Sequence, residues 1–220
     1  MDNSRFQQCH QNADILDNKR QDTLAQQTRE LMENVFQIKI ILATDHHVIP
    51  QGPCLLRKLY EDAKETKYEY ASTALWIKIL SSAFYESAIF SLSCEFPPDN
   101  SLRRVDIVLN RYNESGNYQT GVLYCEAKKV DGSEADVTKQ IRDAARRSSE
   151  HHGLAGVYTL AVIGTKFDMQ YYDKAPDSFY PLTHGYADID SEACREFLNT
   201  VHLIKGDTPL RQAPTVPSNA

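Results

Sequence analysis

The sequence predicts an α/β domain preceded by a helical region. Two observations carry this expectation. The hydrophobic period changes from 3.6 to 2 near residue 88, and a capped helix then interrupts a run of strands. From about 68 to 173 the order reads α-β-β-β-α-β-β.

Residues 1 to about 19 are polar and expected to be frayed. From about 20 to 42, Leu24, Leu31, Met32, Val35, Phe36, Ile38 and Leu42 recur at helical spacing, which predicts a long amphipathic helix. It stops near Asp45-His46-His47 and the loop Pro50-Gln51-Gly52. Pro53 suits the first position of a second helix, whose stripe is Leu55, Leu56, Leu59 and Tyr60. A third helix is expected over about 68 to 86, burying Leu75, Trp76, Ile79, Leu80, Ala83 and Phe84.

Strand alternation follows. Ala88, Phe90, Leu92, Cys94 and Phe96 share one face, and Pro97-Pro98-Asp99-Asn100 ends the run. A second strand covers about 103 to 111. A loop with Gly116 leads to a third, about 118 to 128. Ser133 is the expected N-cap of the next helix, with Asp136 three residues on to complete a capping box. Val137, Ile141, Ala144, Ala145 and Ser148 mark its buried face, and Gly153 its end. Leu154 to Ile163 is apolar on both faces, as a central strand is. Gly164-Thr165 turns into another strand, about 166 to 173, with Phe167, Met169 and Tyr171 inward. A last helix is expected over about 190 to 205, and residues 207–220 read as a disordered tail. The domain reading is a helical region over 1–66 packed on a core over 67–206.

Composition narrows the function classes. The 220 residues are 41% hydrophobic and 25% charged, an ordinary globular balance. Cys9, Cys54, Cys94, Cys125 and Cys194 are scattered, without the close pairs of a zinc site. Their odd number argues against a disulfide framework and for a reducing, intracellular compartment, nuclear or cytoplasmic. No apolar run is long enough to span a bilayer, and Met1 to Arg20 lacks the apolar centre of a secretory signal. The net charge of −6 gives no whole-protein attraction to nucleic acid, so any phosphate contact must be local. The phosphate-loop, serine-elbow and H-E-x-x-H patterns are absent.

One constellation carries chemistry. In Val122-Leu123-Tyr124-Cys125-Glu126-Ala127-Lys128, strand alternation points Glu126 and Lys128 the same way. In the preceding strand Val105, Ile107 and Leu109 form one face and Asp106 lies on the other. A carboxylate flanked by so apolar a run needs a partner or a metal. Pairing the strands as a hairpin lets Asp106 and Glu126 converge on one ion beside Lys128. Two carboxylates suit Mg²⁺ or Mn²⁺. Such an ion polarises a phosphoryl oxygen and activates a water, and lysine can hold that water or stabilise developing charge. The acid-x-lysine pattern alone is common, recurring at Asp17-Asn18-Lys19, Asp62-Ala63-Lys64 and Glu65-Thr66-Lys67. Only Glu126-Ala127-Lys128 ends an apolar strand between a strand bearing an Asp and a capped helix. The competing reading is an ion pair between Glu126 and Lys128 on a solvated sheet face.

Arg104-Val105-Asp106-Ile107-Val108-Leu109, then Val122 to Lys129, then a helix carrying Gln140, resembles the PD-(D/E)xK nuclease superfamily. The similarity is greatest to nuclease-like domains of uncharacterised fungal proteins, some of them linked to spore killing. It covers about residues 68 to 173. The resemblance implies a restriction-endonuclease-like core, α-β-β-β-α-β, with a mixed sheet flanked by helices. It also implies Asp106 and Glu126 as metal ligands, Lys128 as the catalytic lysine and Gln140 as an accessory glutamine. An acidic residue on the first core helix would complete the set, with Glu69 and Glu86 as candidates. The family's proline before the Asp is replaced by Val105. The function implied is Mg²⁺-dependent hydrolysis of nucleic acid, DNA first. The alternative is a nuclease-like fold without strong catalysis that serves as a nucleic-acid or protein interaction module.

Other basic residues could also track a phosphate backbone. Lys139, Arg142 and Arg146 share a helix side with Arg147 nearby, but a solvated face with local pairs to Asp143 and Glu150 is the favoured expectation. Lys129, directly after the lysine strand, is better placed. His46-His47 reads as an exposed loop, and His151-His152 as the positive end of a helix. Tyr158, Tyr171 and Tyr172 read as packing residues.

Overall fold

The structure is a computed structural model that describes residues 48–85, 89–112 and 119–206. The expected helix over 20–42, His46-His47, Glu86, the loop over 113–117 and the tail over 207–220 lie outside the described residues. The described residues fall within one compact unit that begins at His46.

The first described helix, α1 (Leu55–Glu65), starts two residues later than Pro53 suggested. Cys54 stays extended, and its Sγ accepts the Arg57 amide at 3.4 Å. The cap thus comes from a side chain the sequence reading had not considered. Leu56, Tyr60 and Ala63 are buried. Next, α2 (Glu69–Ala83) buries Leu75, Trp76, Ile79, Leu80 and Ala83, as its spacing predicts, and Ala71 and Ser72 besides; Phe84 is buried just past the helix end.

Strands β1 (Phe90–Phe96), β2 (Val105–Tyr112) and β3 (Gln119–Lys128) form an antiparallel meander. Helix α3 (Glu134–His152) then crosses to β4 (Gly156–Ile163), which lies parallel to β3. Both α3 ends follow the sequence expectation. Ser133 Oγ accepts the Asp136 amide at 3.2 Å, and Gly153 closes the helix in the left-handed region at φ 65°. All eight residues of β4 are buried, as a strand covered on both faces must be. Strand β5 (Lys166–Asp173) returns antiparallel to β4.

Two short strands were not anticipated. β6 (Ser178–Pro181) and β7 (Ala187–Asp188) both pair with β5. The result is a seven-stranded mixed sheet in the order β1-β2-β3-β4-β5-β6, with β7 on β5. Helix α4 (Cys194–Gly206) begins four residues after the expected start, because Asp188 to Ser191 makes a turn first.

The sheet separates two cores. On one face α1, α2 and α4 pack over β-residues such as Ile107, Leu123, Leu160, Phe167 and Met169. Trp76, Phe167 and Phe197 form an aromatic trio there, with ring centroids 5.7 to 5.8 Å apart. On the other face α3 packs Val137, Ile141, Ala144 and Ala145 against Val108, Tyr124, Val157 and Ala161. The molecule is thus a mixed α/β structure with helices on both faces of its sheet. Among the described residues no helix is long and apolar enough to cross a membrane.

Candidate functional site

The C-terminal end of β3 is held from α2. Ser72 Oγ donates to the Lys128 carbonyl at 2.8 Å and lies 3.2 Å from the Gly164 carbonyl. Trp76 Nε1 donates to the same Gly164 carbonyl at 3.1 Å. The Gly164 amide donates to the Lys128 carbonyl at 2.9 Å. Lys128 therefore sits on a clamped backbone. Glu69, one turn before Ser72, is carried to the same end of the sheet. A serine inside an otherwise apolar helix stripe was the signal for this clamp, since a buried hydroxyl needs a partner.

Four charged side chains meet there. Lys128 Nζ lies 3.2 Å from Glu126 Oε1 and 3.6 Å from Glu69 Oε2. Asp106 Oδ2 accepts the Ala127 amide at 2.7 Å. The β2–β3 register, Ile107 opposite Cys125, brings Asp106 level with Glu126. At this level the Asp106 carboxylate takes the Ala127 amide. Glu126 is only 9% exposed, so the reading of a solvated ion pair does not describe it.

Burial and charge act together on these groups. Burial, then the Asp106 charge, push the Glu126 carboxyl up to about 7, against the opposing pull of Lys128. Burial also raises Asp106, while the Ala127 amide and Lys128 hold it back. For Lys128 the burial penalty is outweighed by Glu126, Glu69 and Asp106, which keep its ammonium form favoured. The Cys125 thiol between them is driven well up by burial and then by both carboxylates, so it stays protonated and inert.

A cleft of about 790 Å³ adjoins the site, between the start of β2, the end of β3 and α3. Glu126, Lys128 and Gln140 line it, together with Arg103, Arg104, Lys139 and Arg147 and the acids Asp136 and Asp143. Asp106 is not part of its lining. Val105 is, and it packs in the α3-side core instead of sharing the face of Ile107 and Leu109. Simple alternation thus fails at the first residue of β2. Nearby, Glu95 adopts a positive φ of 48° on the neighbouring strand.

The α3 arginines are engaged, largely beyond their own helix. Arg142 donates to Gln170 Oε1 at 3.0 and 2.9 Å, and Arg146 pairs with Asp177 at 2.7 Å. Both guanidinium groups lie over the Phe179 ring. Arg147 pairs with Asp143 at 2.9 Å, as expected of a local pair, but also with Asp99 at 3.0 Å. Lys129 pairs with Asp131 at 3.1 Å. Tyr158 packs on Tyr171 and Tyr172 on Phe179, as packing residues do.

Among the described residues no three His, Cys, Asp or Glu side chains are grouped as a ready-made metal cage. Mg²⁺ asks for less, since one or two carboxylates and several waters usually hold it. Asp106 and Glu126 are donors of that kind. They are hard oxygen donors at one level of the sheet, and a cation would relieve the charge that Asp106 places on Glu126. No family model, curated protein or solved structure matches this chain.

Proposed function

We propose that the chain is a divalent-metal-dependent nuclease with a restriction-endonuclease-like core of the PD-(D/E)xK type, hydrolysing phosphodiester bonds in nucleic acid, DNA first. The observation that carries the reading is the buried Glu126 carboxyl beside Asp106, with Lys128 held 3.2 Å away and lining a cleft of mixed charge. A purely structural ion pair needs one acid. This site gathers Glu69, Asp106 and Glu126 around one lysine, and burial makes the charges of Asp106 and Glu126 costly.

In this reading Asp106 and Glu126 hold Mg²⁺ or Mn²⁺. When bound, the ion supplies Lewis-acid polarisation of the phosphoryl group and a water of lowered pKa. Lys128, a fixed cation, orients the attacking water or stabilises charge on the phosphate. Glu69 keeps the ammonium aimed into the site, and its contact with Lys128 makes it the helix acid of this reading. Gln140 lines the cleft where it can steady a substrate phosphate or water.

The test is cleavage of plasmid and single-stranded DNA with Mg²⁺, Mn²⁺ or EDTA. Lys128→Ala should abolish cleavage, with at least about a hundredfold loss expected of a transition-state charge partner. It should leave Mn²⁺ affinity largely intact by calorimetry. Asp106→Ala should weaken Mn²⁺ binding itself, because an oxygen ligand is removed. Thermal melting must first show that both variants are folded. A folded wild-type protein that neither cuts DNA or RNA nor binds Mn²⁺ would falsify the enzyme reading.

A further inference from the structure

Glu69 is flanked by two tyrosines that the core does not use. Tyr68 and Tyr70 are 66% and 69% exposed, the two most exposed among the described Tyr, Phe and Trp residues. They are not splayed apart. Their rings stack on each other, with centroids 5.7 Å apart and planes 16° from parallel. Water gives no reason to display two large rings side by side, and an exposed, pre-stacked pair offers a π-face to a third ring.

The neighbourhood supplies the other half of a nucleic-acid surface. Lys67 precedes the pair and is exposed, and Lys128 is ion-paired to Glu69, the residue between the two tyrosines in sequence. Lys129 and Asp131 are each about half-exposed and pair at 3.1 Å, so that contact is cheap to exchange for a phosphate. The charge of Lys67 reaches Asp131 as well, which brings the start of α2 and the end of β3 into one electrostatic field. Aromatic faces beside lysines are how proteins hold single strands, whose bases are free to stack; bases in a duplex are already stacked on one another.

We propose that Tyr68 and Tyr70 form a base-stacking platform for a single-stranded nucleic acid, with Lys67 and Lys129 holding its backbone and leading the strand to Glu126 and Lys128. The inference rests on the nuclease reading for where the strand leads, but binding does not require hydrolysis. It commits the site to single-stranded or frayed substrate in preference to an intact duplex.

The experiment uses the full chain in EDTA, so that nothing is cut. Fluorescence anisotropy measures binding of a labelled oligothymidylate and of a duplex of equal length. The wild type should bind the single strand more tightly. The double variant Tyr68→Ala with Tyr70→Ala should weaken single-strand binding by at least about tenfold, the lower range for losing one stacked base. The double Phe variant keeps the rings and should restore binding to within about twofold. Absence of single-strand binding by the wild type overturns the proposal. So does an alanine variant, shown folded by thermal melting, that binds as the wild type does or loses duplex affinity equally. Adding Mn²⁺ to the same oligomers then separates the two readings. Strand held through the tyrosines but left uncut sinks the nuclease and keeps the platform. Strand cut with no dependence on the tyrosines does the reverse.

Discussion

Glu126 is where a single residue links stability to function. Its folded carboxyl is pushed up to about 7 by burial and Asp106, from an ordinary value of 4.5. The folded state therefore binds this proton more tightly than the unfolded chain. The stability it confers is fully present below about pH 4.5 and is lost as pH rises through 7, by roughly 3 kcal/mol at most. Glu126→Gln, which cannot ionise, should therefore raise the melting temperature in EDTA at pH 8 more than at pH 5. A difference between variant and wild type that stays flat over that range would refute the raised carboxyl. Mn²⁺ should raise the wild-type melting temperature at pH 8, and raise that of the variant less. At this scale the sequence was informative wherever a strand alternates cleanly. Glu126 and Lys128 follow from period 2 in β3, whereas Val105 leaves its expected face, and alternation has no term for a strand end. Tyr68 and Tyr70 stayed hidden for another reason: exposure of an aromatic depends on what packs around it, and sequence spacing does not report that.

At the scale of elements, the clearest signals were those with a local cause. Ser133 and Gly153 cap α3 through contacts within a few residues of themselves, so composition alone locates them. Strands β6 and β7 have four and two residues, too few for a period, and exist because β5 offers an edge to pair with. The clamp on Lys128 is likewise tertiary, joining α2, β3 and the β4–β5 turn. Gly164 is the sensitive point of that turn. Its φ is +59°, and a Cβ there would lie 3.1 Å from the Ala63 carbonyl oxygen and from the Val130 Cα. Gly164→Ala combines left-handed strain with backbone crowding, and a loss of about 2 kcal/mol or more is expected. That lowers the melting temperature by roughly 4 °C or more for a chain of this size. Ser72→Ala removes only the hydroxyl, and should lower stability by about 1 kcal/mol while lengthening the Lys128–Glu69 contact. Chemical denaturation of both variants orders the two effects, and equal stability for Gly164→Ala and wild type would show that the turn can relax.

At the scale of the whole molecule, the mixed sheet with helices on both faces was legible because the period switch at residue 88 and the capped α3 between β3 and β4 dictate a meander followed by a crossover. The extent of the folding unit is less visible in sequence. The helical region is expected to pack on the core, and in its described part Ile49, Leu56, Tyr60 and Ala63 are buried in the same cluster as Trp76, Phe167 and Phe197. Tyr60 also donates to Asp188 Oδ1 at 3.0 Å, and Arg57 pairs with Asp190 at 3.0 Å. Thus α1 is tied to the β7 region, more than 120 residues away in sequence. Cutting the chain at residue 67 would remove four buried apolar side chains and leave the acids at Asp188 and Asp190 without these partners. Each large apolar side chain contributes about 1.5–3 kcal/mol, so the loss approaches the total stability of an ordinary domain. A fragment over 46–206 should therefore melt cooperatively, whereas one over 67–206 should be unfolded or bind a dye for exposed apolar surface at 25 °C. Calorimetry and near-ultraviolet circular dichroism distinguish them, and a cooperatively melting 67–206 fragment would mean that α1 decorates the core without completing it.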